Sequence, residues 1–163
     1  MKQLLQQYSA YNIWANKKII ETAVMLPEEL ISKEVISSFP SVSKTLLHMV
    51  EVENIWWERL NLIENTTPSG WFFGNFDQLT KKLLQLSLQW HDWIKGTTEL
   101  HLTHVFAYQN SKKEQFKQPV YEMILHLFNH QTYHRGQIVT MFRQLGIDKI
   151  PGTDFGIFAR VKK

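Results

Sequence analysis

Residues 119–146 read PVYEMILHLFNHQTYHRGQIVTMFRQLG, and their spacing predicts one long α-helix. Pro119 is tolerated in a first turn, and Gly146 falls just past the last one. The stretch carries His126, His130 and His134, each four residues from the next. A helix advances about 100° and about 1.5 Å per residue, so i, i+4 neighbours share a face roughly 6 Å apart. Either adjacent pair can grip one metal ion. His126 and His134, about 12 Å apart along the axis, cannot share one. The geometry asks for one adjacent pair plus a ligand from elsewhere. On a helical wheel the three histidines fall among Met123, Leu127, Ile138, Met141 and Leu145, the face that should turn to a core. Each buried imidazole must find partners for two ring nitrogens. The stripe therefore reads as metal-binding in preference to a buried polar network.

The rest of the chain supplies the frame. Its 163 residues suit one domain, residues 1–163, with a proper core, and 44% of them are hydrophobic. With no cysteine, disulfides, Cys-ligated zinc and a Cys nucleophile are excluded. No apolar run approaches the ~20 residues of a membrane span, and the first residues hold no signal-peptide core. We expect a soluble, cytoplasmic protein. The net charge of +3 comes from lysines in scattered pairs at 17–18, 81–82, 112–113 and 162–163, interspersed with acids. Nucleic-acid proteins concentrate basic charge in a stripe or a recognisable module, so no nucleic-acid partner is expected.

In chain order, residues 2–25 read as an amphipathic helix with Leu4, Tyr8, Tyr11, Ala15 and Ile19 on one face, and Trp14 packing beside it. Pro27 ends it, and 28–40 form a connector with room for a short helical turn. Ser41 or Ser43 caps a second helix over 42–62. On it His48 lies near Val52 and Ile55, with Glu51 beside it, and is the best candidate for the third ligand. Trp56 and Trp57 read as packing. Residues 63–75 hold Pro68, Gly70 and Gly74 and read as a long loop, whose Trp71, Phe72 and Phe73 are expected by default to cap the core, with a substrate pocket lining or a subunit contact as the alternatives. A third helix spans 76–95, with Leu79, Leu83, Leu86, Trp90 and Trp93 facing inward, Asn75 or Asp77 capping, His91 exposed and Gly96 as a stop. Over 98–118 the period drops to two at Leu102, His104, Phe106 and Tyr108. That pattern suggests a strand, a turn at Asn110, Ser111 and Lys112, and a return over 114–117. His101 and His104 would then face opposite ways and are poor for chelation. The tail after Gly146 reads as extended or irregular, ending in a basic, solvated tip.

HLFNHQTYHRGQI at 126–138, LLHMVEVENIWW at 46–57, YNIWAN at 11–16 and the LGI and DF elements of the tail together resemble the DinB-like superfamily of damage-inducible proteins. The resemblance runs end to end in the family's order. It implies an all-α four-helix bundle with a long crossover connection, here with a small β-hairpin before the last helix, and often a homodimer. It also implies a divalent metal held by His48, His130 and His134, with His126 matching a histidine that does not ligate. Proteins of this kind include thiol transferases using bacillithiol, mycothiol or glutathione, and a stress-related role goes with the family.

Three neutral imidazoles leave coordination positions open, the mark of a catalytic site. Zinc or nickel is the expected ion, and manganese or iron would also accept imidazoles. Such an ion lowers the pKa of bound water to about 7 and deprotonates a bound thiol. The expected function is a thiol S-transferase or hydrolase acting on a small-molecule electrophile, with a low-molecular-weight thiol as a further partner. The alternative is a non-catalytic, metal-binding, stress-related dimer. Gln137 and Glu51 are the residues expected to orient the ligand rings, with His126 close by. A structural salt bridge is expected for Arg135, and close helix packing for Gly136.

Overall fold

The computed structural model describes residues 1–63, 66–110 and 112–161. Their elements are α1 (Lys2–Ala23), α2 (Glu28–Ser32), α3 (Val42–Leu60), α4 (Phe76–Gly96), α5 (Glu99–Thr103), β1 (Val105–Gln109), β2 (Gln115–Pro119), α6 (Val120–Gln144) and α7 (Phe155–Val161). Ser111 of the expected turn and the lysine pair at 162–163 lie outside the described residues. Among the described residues no helix is long and apolar enough to cross a membrane.

Local chemistry sets the helix ends. Ser41 caps α3 by accepting the N–H of Lys44, and Asn75 and Gln78 form a reciprocal capping box at the start of α4. Pro119 stands just outside α6 as its cap residue, where its missing N–H costs nothing. Gly146, at φ 79°, follows α6 in the left-handed region.

Four long helices form the bundle: α1 packs on α4 and α6, and α3 packs on the same two. Two apolar clusters fix their directions. One joins Leu5, Trp56, Trp90, Ile94, Met123 and Phe128, from the start of α1, the ends of α3 and α4, and the start of α6. The other joins Ile19, Leu46, Leu83, Met141 and Phe142, from the opposite halves. Thus α1 and α6 run one way, and α3 and α4 the other. Two adjacent parallel helices cannot be joined by a tight turn, so the connection from α3 to α4 is the long crossover, of which 61–63 and 66–75 are described. Glu51 accepts the backbone N–H of Gly70 on it, and Trp71 and Phe72 pack onto the second cluster. Phe73, expected with them, is 95% exposed.

Several expectations need correction. Residues 99–103 are helical, capped by Thr98, so the strand begins only at Val105 and His101 is a helix residue. The alternation holds for Phe106 and Tyr108, and β1 pairs antiparallel with β2, Val105 opposite Pro119. The tail contains α7, whose Phe158 packs with Tyr11, Ala15 and Trp14 of α1. Leu5, not Leu4, enters the core; Leu4 is 60% exposed. His91 is half-buried against Ser9, 2.8 Å from its hydroxyl. A Cβ on Gly136 would meet nothing within 4 Å, so this glycine permits no close packing.

A polar layer lies between the clusters. Arg135, fully buried, donates from Nη1 to Asn12 Oδ1 (2.6 Å) and Asn16 Oδ1 (2.8 Å), and from Nη2 to Thr132 Oγ1 (2.7 Å). Asn12 Nδ2 donates to Glu53 Oε1 at 3.3 Å, and Ser87 Oγ lies 3.1 Å from the same oxygen. The direct partners of Arg135 are thus neutral amides and a hydroxyl, not the carboxylate of the expected salt bridge. Burial pushes the Glu53 carboxyl up to about 8, against the opposing pull of Ser87, Asn12 and Arg135.

Candidate metal centre

The imidazoles of His48, His130 and His134 converge where α3 and α6 pack. Each offers one nitrogen, and the three lie within 4.8 Å of one another. His130 Nε2 is the hub, 3.1 Å from His48 Nε2 and 3.0 Å from His134 Nε2. The i, i+4 spacing on α6 stacks two rings on one face, and α3 delivers the third across the helix interface.

The hydrogen-bond chemistry fits a cation at the centre. Gln137 Nε2 donates to Ser38 Oγ at 2.8 Å, which turns Gln137 Oε1 toward His134 Nδ1 at 2.7 Å. His134 must therefore carry its proton on Nδ1, leaving Nε2 a bare lone pair. A single Nε2 proton on His130 could satisfy one neighbour but not both, and His130 Nδ1 is buried without a partner. One divalent ion would use all three lone pairs. Two imidazole nitrogens at about 2.1 Å from one ion stand roughly 3.0–3.4 Å apart for angles near 90–110°, matching the two separations made by His130 Nε2.

Electrostatics keep the rings neutral and ready to coordinate. Desolvation, then the neighbouring His134, lowers His48 to about 4. Desolvation, then the other histidines, lowers His130 to about 3. Desolvation also lowers His134, against the opposing effect of its bond to Gln137.

The surroundings depart in part from the sequence reading. His126 is exposed, so the stripe turns from water at one end to core at the other. Its ring centroid is 6.2 Å from that of His130, and it meets Trp56 edge-on at 5.4 Å. Glu51 orients no ligand ring, because its carboxylate is engaged by Gly70 of the crossover. Gln137 does touch a ligand ring. Phe39 and Ser38 were not anticipated: Phe39 stacks on His48 at 4.2 Å between centroids and stands edge-on to His134 at 5.6 Å. The available signal was an aromatic residue immediately before Pro40 and the Ser41 cap, which pins the connector against the first turns of α3. Tyr133, 60% exposed, borders His134 at 5.1 Å.

Comparison with known proteins gives consistent matches. The profile described as the DinB family matches residues 1–162. Protein DinB of Bacillus subtilis (strain 168) is 30% identical over 166 aligned residues, spanning 94% of this chain and 92% of that protein. A crystal structure of a DinB-like protein from Bacillus cereus ATCC 10987 superposes with a TM-score of 0.64 at 18% identity, covering 85% of this chain and 89% of that one, which shows a shared fold.

Proposed function

The chain belongs to the DinB family, and from that premise we propose that it is a metal-dependent enzyme acting on small electrophiles, a thiol S-transferase or hydrolase. The observation that supports this reading is the convergence of three Nε2 lone pairs with no carboxylate or fourth imidazole in the group. A divalent ion there, zinc or nickel by donor chemistry, would acidify a thiol or water. The chain's own residues do the rest. His48, His130 and His134 are the ligands. Gln137, steadied by Ser38, fixes the tautomer and ring plane of His134. Phe39 excludes water from one side of the His48 ring. The nucleophile's proton leaves to solvent, and the nucleophile displaces a leaving group from the electrophile. A cytoplasmic homodimer with a low-molecular-weight thiol as partner completes the proposal.

The test is metal content of protein purified without chelator, beside a His130→Ala, His134→Ala variant. About one ion per chain in the parent and none in the variant is expected, followed by conjugation of a thiol to 1-chloro-2,4-dinitrobenzene or cleavage of an activated ester that depends on the ion. Metal bound without either activity, together with loss of fold or dimer on chelation, would favour the non-catalytic, stress-related reading. No metal in either protein, both well folded, would leave a buried polar network and sink the proposal.

A further inference from the structure

We propose that Arg59 is an anion subsite of this centre: it holds a carboxylate at the far end of the thiol whose sulfur is activated at His48, His130 and His134. The inference rests on the metal-centre reading above and extends it along the same helix seam.

Beyond the triad, the α3–α6 seam continues without interruption. His126 follows His130 one turn earlier on α6, and Trp56 of α3 meets it edge-on. Arg59 lies one turn past Trp56. Its guanidinium sits over the Trp56 ring at 4.6 Å and the Tyr108 ring of β1 at 5.2 Å. One strip of surface thus runs from the imidazoles across an exposed ring to a cation lodged beside two aromatic rings that meet each other edge-on at 69°.

Among the described residues no carboxylate pairs with Arg59, and its Nε is buried with no acceptor. The adjacent Glu58 is turned to Thr67 and Asn54. A half-buried charge without a partner costs free energy, and desolvation indeed lowers the Arg59 pKa. Arg135 Nε is orphaned in the same way, so the contrast lies at the terminal nitrogens, both of which are committed inside the protein in Arg135. A planar guanidinium stacked on aromatics presents a fork of donors that matches a carboxylate two-pronged. From residue 48 to residue 59 the helix axis advances about 16 Å, so a ligand bridging both sites spans roughly 10–15 Å.

The experiment uses cobalt-loaded protein, in which cobalt's own bands report the metal centre and a thiolate-to-cobalt band reports sulfur binding. The probes are 8-mercaptooctanoate and 8-mercaptooctanol, matched in length, with 3-mercaptopropionate and 3-mercaptopropanol as pairs too short to span. The long acid is expected to bind about tenfold or more tighter than the long alcohol, as a charged hydrogen-bonded pair would give. The short pair should show no such preference. In Arg59→Gln the long acid should fall to the alcohol's affinity while the cobalt bands stay unchanged. Equal binding of the long pair in the parent, an equal preference in the short pair, or a preference that persists in Arg59→Gln would each overturn the subsite. Should cobalt bind but no thiol coordinate, the thiol chemistry fails by itself. The subsite is then decided by adipate: saturable, Arg59-dependent perturbation of tryptophan fluorescence supports it, and no perturbation overturns it.

Discussion

Gln137 Oε1 accepts the Nδ1 proton of His134 at 2.7 Å, and this bond determines that the nitrogen facing His130 is a lone pair. Ser38 accepts from the other end of the same amide, so the connector before α3 and the middle of α6 jointly hold one ring in one tautomer. Replacing Gln137 with leucine should weaken metal binding about 10–100-fold without unfolding the protein. Gln137→Glu, which keeps the acceptor, should recover most of the loss. Metal titration with a competing chelator reads both; unchanged affinity in the leucine variant would show that the amide does not orient His134.

The metal-free protein should lose stability in acid. His48 and His130 titrate at about 4 and about 3 when folded, below the ordinary value of 6.5. Between those values the unfolded chain binds protons that the folded one refuses, so stability falls as pH drops from about 6.5 toward 3. Melting temperature measured across that range should decline more steeply in the parent than in His48→Ala, His130→Ala. Parallel profiles would mean that the triad is not held neutral. With metal present, protons and ion compete for the same lone pairs, so metal release should coincide with the decline.

Glu53 predicts the opposite slope at alkaline pH. Its folded value is raised to about 8, chiefly by burial, from an ordinary 4.5. The folded state therefore holds a proton that the unfolded chain has released, and stability falls as pH rises from about 4.5 through 8. Glu53→Gln removes the titrating group while keeping an acceptor for Asn12. It should flatten the melting profile between about pH 4.5 and 8, the window set by that shift. A parent profile already flat there would contradict a protonated Glu53.

Arg135→Ala would strip donors from Asn12, Asn16 and Thr132 at once and leave a large void. Each buried polar group left unsatisfied costs about 1–3 kcal/mol, and the void adds to it. Urea denaturation should find the variant destabilised by that order. Arg135→Lys should recover only part, since one ammonium cannot follow the two-amide geometry. A loss below about 1 kcal/mol in the alanine variant would mean that water readily replaces the guanidinium.

The long helices and the histidine pair on α6 were legible in the sequence because burial follows the 3.6-residue period and a four-residue interval is a statement about distance. His48 was reachable only through that pair, which asks for a third ligand from elsewhere; alone it would read as a satisfied core histidine. What escaped was set by tertiary contact. The two-residue alternation from Leu102 onward is real in β1, yet Thr98 caps a helical turn first and hides Leu102 in it. Phe39 over His48 depends on how Pro40 aims the connector. The partners of Arg135 were written in Asn12 and Asn16, a polar i, i+4 pair amid the apolar face of α1, but only the fold reveals that both amides meet a guanidinium from α6. His126 shares the spacing of its neighbours and nevertheless reaches water at the edge of the buried face, although Met123 and Leu127 beside it on α6 are fully buried.

The buried polar layer has a further consequence for alignment. Apolar side chains tolerate sliding: two helices can slip by a turn and still bury much the same surface. Asn12, Asn16, Glu53, Ser87 and Arg135 cannot, since a slip of one turn, about 5.4 Å, would strand every donor and acceptor among them. A single polar position can fix register between packed helices in this way. Arg135 is the residue next to His134, so the notch that sets the height of α6 against α1 lies beside the ligand that must meet α3 to within a fraction of an ångström. The layer acts as a keyway, and the fit of the three imidazoles inherits its tolerance.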